Sequence, residues 1–461
     1  MTTSDFSTLK LKPALLSNLA SLGFVNMTDI QAQSLPSIIA GEDIIAQAKT
    51  GSGKTAAFGL GLLEKLDVKR FRIQSLVLCP TRELADQVAK DIRKLARGIH
   101  NIKVLTLCGG MPFGPQLGSL EHGAHIIVGT PGRIEDHLGK GTLNLDFVET
   151  LVLDEADRML DMGFEKALDY IVEQTPKARQ TLLFSATYPP QIQSMAKSMM
   201  RKPLMVKSAE SHSTNSIEQR FYKVDNEQQR LEALHLLLMH EQPESAIVFC
   251  NTKKEVQLVA DNLEQFGFDA LALHGDLEQR DRDQTLVRFA NKSASVLVAT
   301  DVAARGLDID SLEMVVNYQV AHDPEVHVHR VGRTGRAGNK GLASSLFSER
   351  ESHKVALLEL DIDPIADHQP LPDVDLLDKA PTKAPMTTLM LDGGKKQKVR
   401  PGDILGALTN DKRIQGKQVG KIHIYDNRAY VAVESKLAKV ALNKISNERL
   451  KGRQFRARIV R

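Results

Sequence analysis

A chain of 461 residues, 42% hydrophobic and 25% charged, is long enough for roughly three domains and apolar enough to give each a core. No stretch approaches the roughly 20 apolar residues of a membrane span, and the opening "MTTSDFSTLK" lacks the apolar run of a secretory signal. The formal net charge of +3 conceals a split, because residues 381–461 hold 19 Lys and Arg against 6 Asp and Glu, leaving 41 basic and 51 acidic residues in the rest. Charge segregated so strongly suits a polyanionic partner, nucleic acid first, with a basic disordered tail as the alternative. Cys79, Cys108 and Cys250 have no metal-ligand spacing and lie in or beside apolar runs. They read as buried small hydrophobes of a protein from a reducing compartment, the cytoplasm.

In chain order, "EDIIAQ" reads as a strand, "AKTGSGKT" (48–55) as a phosphate-binding loop and "AAFGLGLLEKL" as the helix that follows. Glycines in such a loop let backbone N–H groups curl round phosphate oxygens at the positive end of a helix. Ala48 stands where the first glycine is usual. Lys54 would reach the β- and γ-phosphates of ATP, and the Thr55 hydroxyl would sit on Mg2+. "SLVLCP" (75–80), "HIIVGTP" (125–131), "TLVLDEAD" (150–157) and "TLLFSAT" (181–187) then follow as Val-, Ile- and Leu-rich runs without alternation, the pattern of strands buried on both faces. "RELADQVAKDIRKLARG" (82–98) between them has helical periodicity. Asp154, at the end of a buried strand, can hold the metal, and Glu155 can orient and deprotonate the attacking water.

"KSAESHSTNS" (207–216) reads as a polar linker, after which the pattern repeats with "SAIVFCNT" (245–252) and "SVLVATD" (295–301). This half has no phosphate loop of its own. It offers "HVHRVGRTGRAG" (327–338), where Arg333 and Arg336 could neutralise charge on the γ-phosphoryl group, or could belong to a solvated basic turn. One ATP held by two similar domains would make their closure depend on nucleotide. Strand alternating with helix implies parallel, doubly wound α/β sheets with ligands beyond the carboxyl ends of the strands. A proline-rich break, "HQPLPDVDLLDKAPTKAP" (368–385), precedes the basic tail. In the tail, "TTLMLDGGKKQKVRPGDILGALTN" reads as strand, basic loop and helix, "GKIHIYDNRAYVAVES" as a hairpin, and "KLAKVALNKI" and "RQFRARIV" as a helix and a closing strand.

These motifs, in their order and spacing, resemble the DEAD-box RNA helicases, whose name is spelled by Asp154-Glu155-Ala156-Asp157. The resemblance covers residues 1 to about 365 and implies two tandem RecA-like domains, 1–207 and 216–367. "GFVNMTDIQ" (23–31), with Phe6 upstream, is similar to the family's adenine-reading motif, with Met27 in place of its usual proline. It assigns Phe24 and Gln31 to ATP, together with Ala48, Lys49, Thr50, Gly51, Ser52, Gly53, Lys54, Thr55 and Asp308. It gives Thr55 and Asp154 to Mg2+, and Glu155, Asp154, Lys54, Arg333 and Arg336 to catalysis. Ser185 and Thr187 of "SAT" would couple hydrolysis to unwinding. Thr81 and Arg82 of "PTRELA", Gly110, Thr130 and Arg133 of "TPGR", Thr300 and Arg305 would face RNA.

The tail, 386–461, is similar to a basic RNA recognition motif, of order β-α-β-β-α-β. Met390 and Arg428 replace two of its base-stacking aromatics, so a basic surface holding structured RNA is favoured over single-strand readout. Lys395, Lys396, Arg428 and Tyr430 are its candidate RNA contacts. Such a tail on such a core resembles bacterial members of the family targeted to 23S rRNA and active in assembly of the large (50S) subunit. The expected partner is therefore RNA, in pre-50S particles, with no membrane, no DNA and a monomer by default. A DNA helicase and a non-catalytic RNA clamp are the rival readings.

Overall fold

The unalternating apolar runs form strands buried on both faces, each a little shorter than its run. In the computed structural model, which describes residues 5–48, 51–208, 217–304, 312–335, 340–358, 363–411, 413–447, 449–450 and 452–460, contacts gather the chain into two compact units. One covers Met1–Ser211, the other His212–Arg305 and Ile309–Arg461. Lys49, Thr50, Arg305, Asp308, Arg336 and most of the expected linker lie outside the described residues. Among the described residues no helix is long and apolar enough to cross a membrane.

The first unit is built on seven strands: β1 (Ile44–Gln47), β2 (Ser75–Leu78), β3 (Val104–Leu107), β4 (Ile126–Gly129), β5 (Thr150–Asp154), β6 (Gln180–Ser185) and β7 (Leu204–Lys207). They lie in the order β3-β4-β2-β5-β6-β1-β7, all parallel. Because successive side chains leave opposite faces of a strand, Leu182 and Phe184 enter one core while Leu183 enters the other. The first core is closed by helices Pro13–Ser21, Asp29–Ala40, Lys54–Lys65 and Arg82–Leu95, with Phe58 tilted against Phe184 at 5.2 Å. Helices Pro131–Gly139, Glu165–Glu173 and Pro190–Met199 close the second. Cys79, Cys108 and Cys250 are free and buried, as expected of small hydrophobes.

The second unit begins with six parallel strands: β8 (Ile217–Lys223), β9 (Ala246–Phe249), β10 (Ala270–Leu273), β11 (Val296–Ala299), β12 (Met314–Asn317) and β13 (Gly341–Phe347), in the order β10-β11-β9-β12-β13-β8. Both large sheets are thus of the parallel α/β kind expected. The basic tail adds an antiparallel sheet of β14 (Met386–Leu391), β15 (Val419–Ile424), β16 (Ala429–Glu434) and β17 (Ala457–Ile459), ordered β15-β16-β14-β17. With helices Pro401–Thr409 and Ala438–Asn447 this gives the β-α-β-β-α-β order over a core of its own.

The proline-rich break is not a loose tether. Leu371 and Leu376 pack on the core of the second parallel sheet, and the Ala384 N–H donates to Asp269 at 2.7 Å. The outer face of the small sheet is also covered. Met390, Tyr430 and Val460 form a buried cluster with Val287 of the helix Gln279–Ala290. Asn291, which ends that helix, donates to Thr388 Oγ1 at 3.1 Å and faces His423 at 3.1 Å.

Candidate active site and nucleic-acid interface

The site in the first unit lies where β1, β5 and β6 end. Backbone geometry shapes it before any side chain does. Gly51 (φ 85°) and Gly53 (φ 94°) turn the loop after β1 through the left-handed region that favours glycine. Gly53 is required twice over, since a Cβ there would stand 2.4 Å from Gln31 Nε2 and 2.9 Å from Thr28 Oγ1. Lys54 and Thr55 open the helix Lys54–Lys65, whose first N–H groups have no helical partner and so suit an anion. Ala48 is buried, and its N–H donates to Ser185 O at 3.0 Å, tying the loop to β6.

Gln31 holds that loop from the other side. Its Oε1 accepts from Thr28 N–H at 2.9 Å and its Nε2 donates to Gly53 O at 3.1 Å. The first bond is half of a capping box on the helix Asp29–Ala40, and the second reaches the phosphate loop. Gln31, expected to read adenine, uses its amide here to link that segment to the loop. Phe24, half-buried, meets Phe6 edge to face at 6.3 Å.

Three carboxylates lie within four residues. Asp154 ends β5 and is buried, which raises its pKa to about 7 although the Lys54 charge pulls it down. Its Oδ1 is buried without a hydrogen-bond partner. Glu155 follows in the left-handed region (φ 54°, ψ 51°), unusual for a residue with a side chain, and its carboxylate takes a 2.6 Å bond from Arg158 Nη1. Asp157 turns to the "SAT" segment expected to couple hydrolysis to unwinding. Its Oδ2 accepts from Ala186 N–H, Thr187 N–H and Thr187 Oγ1 at 3.0–3.1 Å, while its own N–H donates to Ser185 Oγ at 3.3 Å. Burial would raise the Asp157 pKa, but the Thr187 bonds and the Lys54 and Arg158 charges outweigh it and hold it low. Lys54 Nζ donates to Ala48 O at 2.8 Å.

The expected RNA contacts of this unit group by loop. Thr81 caps the helix Arg82–Leu95 through Leu84 N–H at 3.3 Å, and Arg82 lies 3.7 Å from Asp86. Thr130 Oγ1 accepts from Gly109 N–H at 3.2 Å, beside the left-handed Gly110, and Arg133 donates to Met111 O at 2.9 Å. The structure thereby brings the double-glycine loop and the "TPGR" loop together.

In the second unit Thr300 Oγ1 accepts from Ala303 N–H at 3.3 Å, and Arg333 is buried with its N–H on Arg330 O at 3.1 Å. Arg330 itself is the organiser here, a role that sequence reasoning missed. It grips Asp301 through two bonds of 2.7 and 2.8 Å and also reaches Gln319 O (2.7 Å), Asn251 Oδ1 (2.8 Å) and Asn317 Oδ1 (3.3 Å). One fork thus joins the loops after β9, β11 and β12. Its signal was the three-residue spacing to Arg333. The sequence alone likewise assigns no role to Asp157 or Arg158.

In the small domain Lys395 and Lys396 are exposed, and their N–H groups donate to Tyr425 O and Asp426 O at 2.9 Å. This loop hugs the hairpin so closely that a Cβ on Gly394 would stand 2.1 Å from Tyr425 O. Arg428 is half-buried. Tyr430 does not fit base stacking in this arrangement, because it is 4% exposed and covered by Val287.

Comparison with known proteins agrees with this geometry. Residues 28–195 match the DEAD/DEAH box helicase family, 229–338 the helicase conserved C-terminal domain and 388–459 the DbpA RNA binding domain. The chain is 54% identical over 457 residues to the ATP-dependent RNA helicase DbpA of Escherichia coli K12, covering 99% of each. It is 45% identical over 356 residues to the DEAD-box ATP-dependent RNA helicase CshA of Bacillus cereus, covering 77% of this chain and 68% of that one. Among solved structures, S. cerevisiae Dbp5 bound to RNA and ADP BeF3 superposes with a TM-score of 0.69 at 31% identity, over 77% of this chain and 92% of that one. The chain belongs to the DEAD-box family of ATP-dependent RNA helicases.

Proposed function

We propose that this helicase is directed by its basic C-terminal domain to 23S rRNA, where it separates short duplexes during assembly of the large ribosomal subunit in the cytoplasm. The observation that carries this reading is the end-to-end match, which runs through the phosphate loop, both parallel sheets and the RNA-binding domain. Charge supports it, since the exposed Lys395 and Lys396 sit in the basic loop of the domain that holds the chain's surplus of cations.

In the chemistry we infer, Lys54 leaves Ala48 O for the β- and γ-phosphates of ATP, and the loop N–H groups at Gly51–Gly53 hold their oxygens. Asp154 Oδ1, buried and unpartnered, and the Thr55 hydroxyl in the first helical turn are hard oxygen donors that fit Mg2+. When bound there, Mg2+ neutralises charge on the transferring phosphoryl group. Glu155 orients the water and takes its proton. Arg333, and Arg336 beyond it, meet the charge that develops in the transition state. Asp157 carries the change at the phosphates to Thr187 and so to the RNA-facing loops.

RNA crosslinked to the protein in cells and then sequenced tests the targeting. Reads piled on one region of 23S rRNA support it, and reads spread in proportion to RNA abundance overturn it. Glu155→Gln tests the chemistry by retaining ATP and RNA in a long-lived complex; rapid phosphate release from that variant would remove Glu155 from its role.

A further inference from the structure

We propose that Arg158 is a positioning residue for hydrolysis, holding the Glu155 carboxylate so that one oxygen is fixed and the other is left to receive the water's proton. This rests on the reading of Glu155 as the base.

Both side chains are 5% exposed, and Arg158 Nη1 donates to Glu155 Oε2 at 2.6 Å. Glu155 Oε1 accepts no bond among the described residues. A glutamate side chain has three rotatable bonds, and a base that swings wastes most of its encounters with a bound water. Two constraints remove that freedom. The left-handed backbone at Glu155 sets the direction of departure from β5, and it makes Glu155 the residue that enters the helix Ala156–Asp161. Arg158, three residues on, is then on the neighbouring turn and closes the clamp.

The charges point the same way. Asp154, Glu155 and Asp157 crowd one strand end, and the cations that act on Asp154 and Asp157 there are Lys54 and Arg158. Once Lys54 is drawn to phosphate, Arg158 remains as the cation of the cluster. Its 2.6 Å bond to Oε2 keeps the Glu155 carboxylate oriented during the hydrolytic step. The Arg158 backbone N–H also donates to Asp157 Oδ1 at 3.0 Å, so the clamp shares its helix with the acid that holds Thr187.

The test is single-turnover ATP hydrolysis with saturating RNA, alongside the affinity for a fluorescent non-hydrolysable ATP analogue and the melting temperature. Arg158→Gln should slow hydrolysis about 10- to 100-fold, the usual effect of losing a partner that orients a reactive group. Analogue affinity should stay within about twofold, and Arg158→Lys should recover part of the rate. In a Glu155→Gln background, Arg158→Gln should slow the residual rate no further, because the group it positions is gone. Should Arg158→Gln melt too low to assay, Arg158→Lys carries the same comparison. Hydrolysis near the wild-type rate, a parallel loss of analogue affinity, or full additivity with Glu155→Gln would overturn the positioning role. If Glu155→Gln alone hydrolysed normally, the base assignment would fail instead, a result distinct from all three.

Discussion

Residues at the phosphate loop show how conformation and chemistry are selected together. Gly53 is left-handed, and its missing Cβ makes room for the Gln31 amide. Gly53→Ala therefore meets both a strained φ, costing about 1–2 kcal/mol, and a clash with Gln31 and Thr28. Because the loop lies at the surface end of β1 rather than in a core, relief comes by displacing the loop. We expect ATP affinity to fall more than tenfold by titration while the melting temperature drops by only a few degrees; unchanged affinity would show that the turn re-forms. The placement of Lys54, Thr55, Asp154 and Glu155 at the ends of β1 and β5 was legible in the sequence, because phosphate chemistry asks for such groups at fixed spacing from a strand end. Arg158 and Arg330 were not. An arginine beside an acid reads equally well as a solvated pair, and only burial separates the two.

At the scale of elements, the strands were legible since runs of Val, Ile and Leu buried on both faces leave few other readings. Their ends were less so. "SLVLCP" extends to Pro80, whereas β2 stops at Leu78, as the carboxyl end of each strand leaves the ladder to form the functional loop. Histidines buried in the second unit make one consequence of packing measurable. His235 stacks on Phe266 at 4.5 Å, and His327 pairs with Gln219 and lies under Phe221. Burial lowers the pKa of each from 6.5 to about 4. Between those values the unfolded chain binds protons that the folded chain refuses, so stability is full above about pH 6.5 and falls as pH drops towards 4. Each histidine can remove up to roughly 3 kcal/mol by the bottom of that window. Urea melts at pH 7, 5.5 and 4.5 should show this decline, and His235→Phe should flatten part of it. A decline of equal size in that variant would place the sensitivity elsewhere.

Arg330 marks the other extreme within the same unit, a buried cation whose bonds reach three loops and an acid. Removing one partner of such a network leaves an uncompensated charge, at a cost of about 3–5 kcal/mol. Asp301→Ala should therefore unfold the second unit at markedly lower urea, whereas Asp301→Asn, which still accepts a bond, should lose less. Equal melts for both would show that shape rather than charge governs the junction.

On the scale of the whole molecule, the tail's order of strands and helices was legible, but its docking was not. Docking depends on which surface meets which, and a sequence records that only as apolar residues on a face expected to be open. Met390 in place of a stacking aromatic was such a trace. The buried cluster of Met390, Tyr430, Val460 and Val287 covers the sheet face on which this class of domain usually stacks bases. The exposed loop of Lys395 and Lys396 lies outside that cluster and is the contact we propose for RNA. Tyr430→Leu separates the two roles, because leucine can fill an apolar contact but cannot stack a base. If the ring is a packing residue, RNA-hairpin affinity should stay within about twofold and stability should fall by about 1 kcal/mol, the cost of an imperfect apolar replacement. If the ring stacks on RNA, affinity should instead fall by about 1–3 kcal/mol with the melt unchanged. Charge reversal at Lys395 and Lys396 should give the complementary result, weakening affinity most at low salt and shallowing its salt dependence by about two counterions. A Tyr430→Leu variant that lost RNA and kept its stability would mean that the sheet face opens to bind, and the packing against Val287 would then be one state of a hinge.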